Sequence, residues 1–304
     1  MTRHIRRTSR LAVATGSAGI LLLLAACSGE TASVGSGGDS KPDSKNVSFA
    51  LVDGWDENVA TTYLWKELLE TRGYKVDVQS LDVASTFTAV ANGQVDLYTD
   101  AWLPTTHQSY WERFGKKLDV VSTWYEPAES NLAVPTYMKD VNSIADLEKK
   151  HAEFGNRIVG IEAGAGLMKL TGTSVIPGYG LKDYKLVEGS TPAMLSTLES
   201  SIKNKKPVVV TLWKPHWAFT KYPIKALKDP KGAFGKPDKA EAITSKEFAK
   251  NNPKLVKWMK DFKLTTEQLG SLELLIQEKS KGKEQEAAKE WIAENKSLVN
   301  SWFK

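Results

Sequence analysis

Three times along the chain an apolar run stops at a tryptophan: SFALVDGW from Ser48 to Trp55, VDLYTDAW from Val95 to Trp102, and VVVTLWKPHW from Val208 to Trp217. Short β-branched and apolar runs of this kind read as buried strands. Pro104 and Pro215 follow the second and third tryptophans, and proline cannot donate to a continuing ladder. Helical periods lie between these strands. Asp56 is a candidate N-cap, followed by Val59, Tyr63, Leu64 and Leu68 on one face and Gly73 as a stop. Tyr74 to Leu81 alternates like a half-buried strand, Ser85 to Asn92 reads as a short helix closed by Gly93, and a further helix opens near Thr106. Val120 to Tyr125 and Asn131 to Pro135 read as two strands, and NSIADLEKK from Asn142 as a capped helix. Arg157 to Ile161 is a strand that runs into Gly164 and Gly166, with a helix from about Leu167. A helix from Ser190 to Lys205 has Pro192 in its first turn. Beyond Tyr222 the chain is turn-rich through KDPKGAFGKPDK and then helical, in segments near Ser245 to Phe262, Thr265 to Lys279 and Glu284 to Trp302. Alternating strands and helices predict an α/β fold.

Ligands of open α/β sheets sit outside the carboxyl ends of the strands. Trp55, Trp102 and Trp213 would all face such a place, and three indoles around one cleft suggest a cage for a cation. A quaternary ammonium cannot donate a hydrogen bond, so only electrostatics and shape can hold it. Aromatic faces supply both, at about 0.5 to 2 kcal/mol per ring, roughly half of the ~8 kcal/mol that micromolar affinity requires. The remainder must come from the other end of the ligand. If that end is a carboxylate, the first amides of the helix at Gly166 and Leu167 and the ring of His107 are suitable donors. Each residue also has a plainer reading. A strand-end tryptophan alone is a core residue, as Trp65, Trp111, Trp258 and Trp291 are taken to be on their helical segments; His107 alone is a helix-start residue; Gly164 and Gly166 alone are an ordinary turn. Their coincidence at one topological end favours the site. His216, three residues past Trp213, is expected to support the loop.

Composition changes the picture mainly at the amino terminus. Residues 1–26 carry Arg3, Arg6, Arg7 and Arg10 and then an apolar run to Ala26, the pattern of a secretory signal peptide rather than a membrane span. Leu24, Ala25, Ala26 and Cys27 resemble a bacterial lipobox, which makes Cys27 the expected site of lipid attachment and the localisation extracytoplasmic, anchored to the cell membrane. Cys27 is the single cysteine, so neither a disulfide framework nor a thiolate metal cluster can form within the chain. Residues 27–46, rich in Ser, Gly and Asp, read as a flexible linker. Without the four signal arginines, 37 of the 41 basic residues face 36 acidic ones, and a near-neutral chain offers no clustered positive footprint for nucleic acid.

DAWLP with His107 behind it, TLWKPHW, GIEAGAGLMKLT and VEGSTPAM together resemble the substrate-binding proteins of ATP-driven glycine betaine importers, over about Val47 to Phe262. The resemblance implies a two-lobed periplasmic-binding-protein fold of type II with the ligand cleft between the lobes. One lobe would comprise residues 47–132 plus 222–304, the other 133–221. It also implies a tryptophan prism of Trp55, Trp102 and Trp213 around the ammonium, with the carboxylate on His107 and on the amides of Gly166 and Leu167. Leu167 stands where relatives carry isoleucine, which leaves a backbone donor unchanged. The expected partners are a betaine, a membrane permease and the membrane itself through the lipid; no cofactor, metal or nucleic acid is expected, and the receptor is expected to be a monomer. Choline, carnitine or proline betaine is the alternative ligand. A lipid-anchored hydrolase of choline esters is the alternative class, disfavoured because the chain has no Gly-x-Ser-x-Gly elbow and no His-Glu-x-x-His. A purely structural lipoprotein would leave the three strand-end tryptophans unexplained.

Overall fold

The computed structural model describes residues 44–279 and 281–304; the signal peptide, Cys27 and most of the linker fall outside the described residues. Among the described residues there are nine strands, eight of them on one continuous path: β1 (Asn46–Leu51), β2 (Lys75–Ser80), β3 (Leu97–Leu103), β4 (Leu118–Pro135), β5 (Arg157–Val159), β6 (Lys185–Val187), β7 (Val210–Lys214), β8 (Ile224–Ala226) and β9 (Asp238–Ser245). Their order is β2-β1-β3-β9-β4-β7-β5-β6, with β8 also on β4. β1 is parallel to β2 and β3, while β9 runs antiparallel between β3 and the first part of β4. From Glu129 onward β4 leaves β9 and pairs instead with β7 and then β8, and β5 lies parallel to β6 and β7. The path therefore comprises two sheets that share β4, and the chain passes between them twice, within β4 and between β8 and β9.

The two strands expected at Val120–Tyr125 and Asn131–Pro135 are one strand of 18 residues. The polar stretch between them stays extended because it has a partner on either side of the change-over, and the bends are absorbed by register shifts between Val120 and Ala128. β8 and β9 were not expected. The Ala, Glu and Lys of DKAEAITS carry little β propensity, but two neighbouring strands satisfy this backbone on both edges, and tertiary context overrides the local preference. The helical segment from Ser245 is broken at Pro253 into Lys246–Asn251 and Pro253–Lys260, and the last one at Asn295 into Glu284–Glu294 and Lys296–Ser301.

Helix α1 (Asp56–Glu70) packs on the first sheet and beneath helices Thr266–Glu278 and Glu284–Glu294, which bury it on almost every side. Trp65 on α1 meets Phe262 edge-on at 5.5 Å, and Trp124 and Trp302 pack on the same phenyl ring at 5.6 and 5.0 Å. Trp65 and Trp291 are thus core residues, as read from sequence, while Trp111 and Trp258 are partly buried against that core. Helices α2 (Val83–Ala91) and α3 (Gln108–Phe114) flank the carboxyl end of β3. Among the described residues no helix is long and apolar enough to cross a membrane.

Candidate ligand pocket

At the carboxyl ends of β1, β3 and β7 lies a small pocket, and Trp55, Trp102, His107, Gly166, Leu167 and Trp213 all line it. Residues that the sequence spreads over four segments are therefore brought to one place. Trp55 follows Gly54, whose φ of +85° turns the chain out of β1, and sits at the N-cap of α1. Asp56, expected to cap that helix, is instead its first residue. Its carboxylate accepts from Trp217 Nε1 at 2.6 Å and Gln277 Nε2 at 2.7 Å, partners that draw it away from the helix amides.

Each of the three indoles that line the pocket rests on a carboxylate. Trp102 Nε1 donates to Asp100 Oδ1 at 2.7 Å, Trp213 Nε1 to Glu57 Oε2 at 2.9 Å, and Trp55 Nε1 to Glu162 Oε2 at 3.3 Å. Two of these bonds cross between the sheets in opposite senses. Trp55 at the end of β1 reaches Glu162 behind β5, and Trp213 of β7 reaches Glu57 of α1. Tied at their N–H edges, the rings keep fixed orientations.

His107 is buried and stacks on Trp55, with ring centroids 5.8 Å apart and planes within 7°. Its Nδ1 accepts from the Trp102 amide at 2.9 Å, so the proton of the neutral ring belongs on Nε2. Burial lowers its pKa to about 3. His107 is therefore a neutral Nε2–H donor at any ordinary pH. Across the cavity, α4 (Gly166–Leu170) begins one residue earlier than expected, with Ala165 at the N-cap. The first amides of a helix have no acceptor within it, which leaves the N–H groups of Gly166 and Leu167 for a ligand. A Cβ on Gly166 would lie 2.0 Å from the Thr106 carbonyl oxygen, so glycine is what permits this approach.

Sequence reasoning missed Glu57. It lines the cavity, is 2% exposed, and its carboxyl is held well above the usual range by burial and by the neighbouring acids Asp100 and Glu273. Nothing in DGWDEN separates it from an ordinary acidic residue in a first helical turn. Glu162 was missed for the same reason: it anchors Trp55 and the Thr191 amide and hydroxyl only once the chain is folded. His216 packs behind Trp213. Its ring meets Trp213 edge-on at 4.7 Å, Nδ1 accepts from the Ala218 amide at 3.0 Å, and Nε2 lies 3.2 Å from Asp56 Oδ2. Among the described residues no group of three His, Cys, Asp or Glu could hold a metal ion.

Residues 45–294 match the family model described as the substrate binding domain of ABC-type glycine betaine transport system. The glycine betaine/carnitine transport binding protein GbuC of Listeria monocytogenes serotype 1/2a (strain 10403S) is 38% identical over 147 residues, and that match spans about half of the relative's length, 48% of each chain. The crystal structure of lactococcal OpuAC in its closed-liganded conformation complexed with glycine betaine is similar with a TM-score of 0.79 at 37% identity, over 85% of this chain and 99% of that one. The glycine/betaine/L-proline-binding protein ProX of Borrelia burgdorferi gives 0.80 at 30% identity, over 84% and 96%. The two sheets joined by β4 are thus the two-lobed α/β fold of periplasmic binding proteins. With five-sixths of its length under the family model, the chain belongs to the substrate-binding domains of ABC-type glycine betaine transport systems.

Proposed function

We propose that this protein is an extracytoplasmic receptor that binds glycine betaine and delivers it to the membrane permease of an ABC importer. Trp55, Trp102 and Trp213 surround the trimethylammonium, and the carboxylate takes hydrogen bonds from His107 Nε2–H and from the amides of Gly166 and Leu167. The observation that carries this reading is the tautomer of His107. A neutral donor, fixed by the Trp102 amide and stacked on a cage tryptophan, is what a ligand with an anion beside its ammonium needs. The receptor does no chemistry on its ligand. Residues 1–26 direct export, lipid on Cys27 holds the monomer at the cell membrane, and residues 27–46 act as the tether.

The lobes divide where the sheets do, at the change of partner near Glu129 in β4 and again between β8 and β9. On this reading β8 belongs to the second lobe, whereas the resemblance places residues 222–304 in the first. Trp55, Trp102 and His107 then belong to the first lobe and Trp213, Gly166 and Leu167 to the second, so ligand bridges them and favours the closed form.

Titrating the soluble chain that starts after Cys27, by tryptophan fluorescence and calorimetry, tests the reading. Saturable micromolar binding of glycine betaine with choline much weaker is expected. Tight choline binding with no response to betaine would remove the carboxylate clamp, and binding of neither would remove the cage. Choline has no carboxylate, so His107→Ala provides a second check. A hydrogen bond to a charged group is worth about 1.5 to 3 kcal/mol, and betaine should bind roughly tenfold to a hundredfold more weakly while choline is little affected. Equal losses for both ligands would place His107 outside the carboxylate clamp.

A further inference from the structure

Beneath the cage lies a group of acids that the ligand contacts do not use. Glu57 of α1, Asp100 of β3 and Glu273 of helix Thr266–Glu278 are all almost fully buried. Glu57 and Asp100 adjoin each other, and each takes the N–H of a cage indole. Asp100 Oδ2, the Tyr98 hydroxyl and Glu273 Oε1 are buried with no hydrogen-bond partner. The groups that face this cluster are Tyr98 on β3 and Asp56 on α1, with His216 and Gln277 bonded to or within 3.2 Å of that Asp56 carboxylate, and His107, which lines the pocket with Glu57. No lysine or arginine stands among them, and the ion pairs of the described lysines lie elsewhere. Two adjoining carboxylates in such surroundings cannot both be ionised without a cation. One proton between them gives Asp100 Oδ2 a bond to Glu57 and removes a costly orphan.

We infer that Glu57 and Asp100 share one proton while the pocket is empty and lose it when a quaternary ammonium enters, so that Glu57 becomes the counter-charge by which the site selects a cation. This rests on the reading of the pocket as an ammonium cage. One O–H bond of the pair breaks, its proton passes to water, and the ammonium takes the place of that proton beside the two carboxylates, while the carboxylate of the ligand is met separately by His107 and the amides of Gly166 and Leu167. Burial raises both pKa values in the empty protein, and at Glu57 the repulsion of Asp100 and Glu273 adds to it, which is the direction required. The bound form holds one proton fewer. Affinity for the cation therefore rises with pH until the empty site has itself lost that proton, and is flat above that point.

The experiment is calorimetry with the soluble chain in buffers of equal pH and different ionisation enthalpy. It compares glycine betaine with 3,3-dimethylbutanoate, which has the same shape but carbon in place of the ammonium nitrogen. Over roughly pH 6 to 9, where His107 does not titrate, betaine should release about one proton and gain up to about tenfold in affinity per pH unit, while the isostere releases none. In Glu57→Gln the amide oxygen still accepts from Trp213, so a purely structural role would leave the preference for betaine over the isostere intact. The inference expects proton release to vanish in that variant and the preference to fall by about tenfold or more, the equivalent of one pKa unit. Betaine binding to the wild type without proton release, or an unchanged preference in Glu57→Gln, overturns it while leaving the cage in place. Failure of the wild type to bind betaine at all overturns the cage reading, and this inference with it.

Discussion

Gly166→Ala should weaken glycine betaine binding by at least about a hundredfold. The added Cβ would fall 2.0 Å from the Thr106 carbonyl oxygen and 2.7 Å from its carbon, and these are backbone atoms that no rotamer change can move. Nor can the loop retreat. The Thr106 amide and hydroxyl are bonded to Asp238 Oδ2 at 3.0 and 2.6 Å, and the Thr105 amide holds the other oxygen of the same carboxylate. Helix α4 must back away instead, carrying the Gly166 and Leu167 amides out of reach. Overpacking typically costs about 1 to 3 kcal/mol, and the lost bonds to a ligand carboxylate add about 1.5 to 3 kcal/mol. The clash is between opposite walls of the pocket, so the thermal midpoint without ligand should hardly change while the stabilisation by betaine disappears. A dissociation constant within threefold of the wild type would show that the two walls do not meet in the bound form.

Trp213→Ala should be as damaging, and for betaine and choline alike. The ring contributes about 2 kcal/mol or more to a desolvated cation, and its removal strips the buried Glu57 of its indole donor, a further loss of about 1 to 3 kcal/mol. Together these correspond to roughly a hundredfold to several thousandfold in affinity. His107→Ala and Trp213→Ala thus separate the two ends of the ligand, the first sparing choline and the second not. If Trp213→Ala left both ligands within threefold, the indole would be core packing and the cage would have to be sought in other rings.

The tryptophans could be read from sequence because each ends a run whose apolar period is strong, and Pro104 and Pro215 mark where two of those runs must stop. Gly166 was legible for the same reason, as a glycine at a strand-to-helix junction. β9 was not: its pattern is weak and its existence depends on two partners far away in the chain. The continuity of β4 was hidden by Glu126, Pro127 and Glu129, which in isolation read as a break. Glu57 and Glu162 lie outside any sequence pattern, because an acid that anchors an indole across the cleft looks like any solvated carboxylate until the fold is closed. His107 was assigned to the carboxylate end of the ligand, but its neutral tautomer follows only from the Trp102 amide, a contact with no signature in DAWLP.

The passage of the chain between the sheets carries a mechanical consequence. The two crossings, around Glu129 to Asn131 and around Ala226 to Asp238, lie side by side and line one open cavity that shares Ser130 with the ligand pocket. Two adjacent tethers fix a line, and two rigid bodies joined along a line have one easy freedom, rotation about it. Ser130 lines both that cavity and the ligand pocket, and would move least in such a rotation, whereas Trp213 and Gly166 would move against Trp55 and Trp102. A small twist of a few peptide units at such an axis would be magnified at the mouth of the pocket, as in a door on two pins.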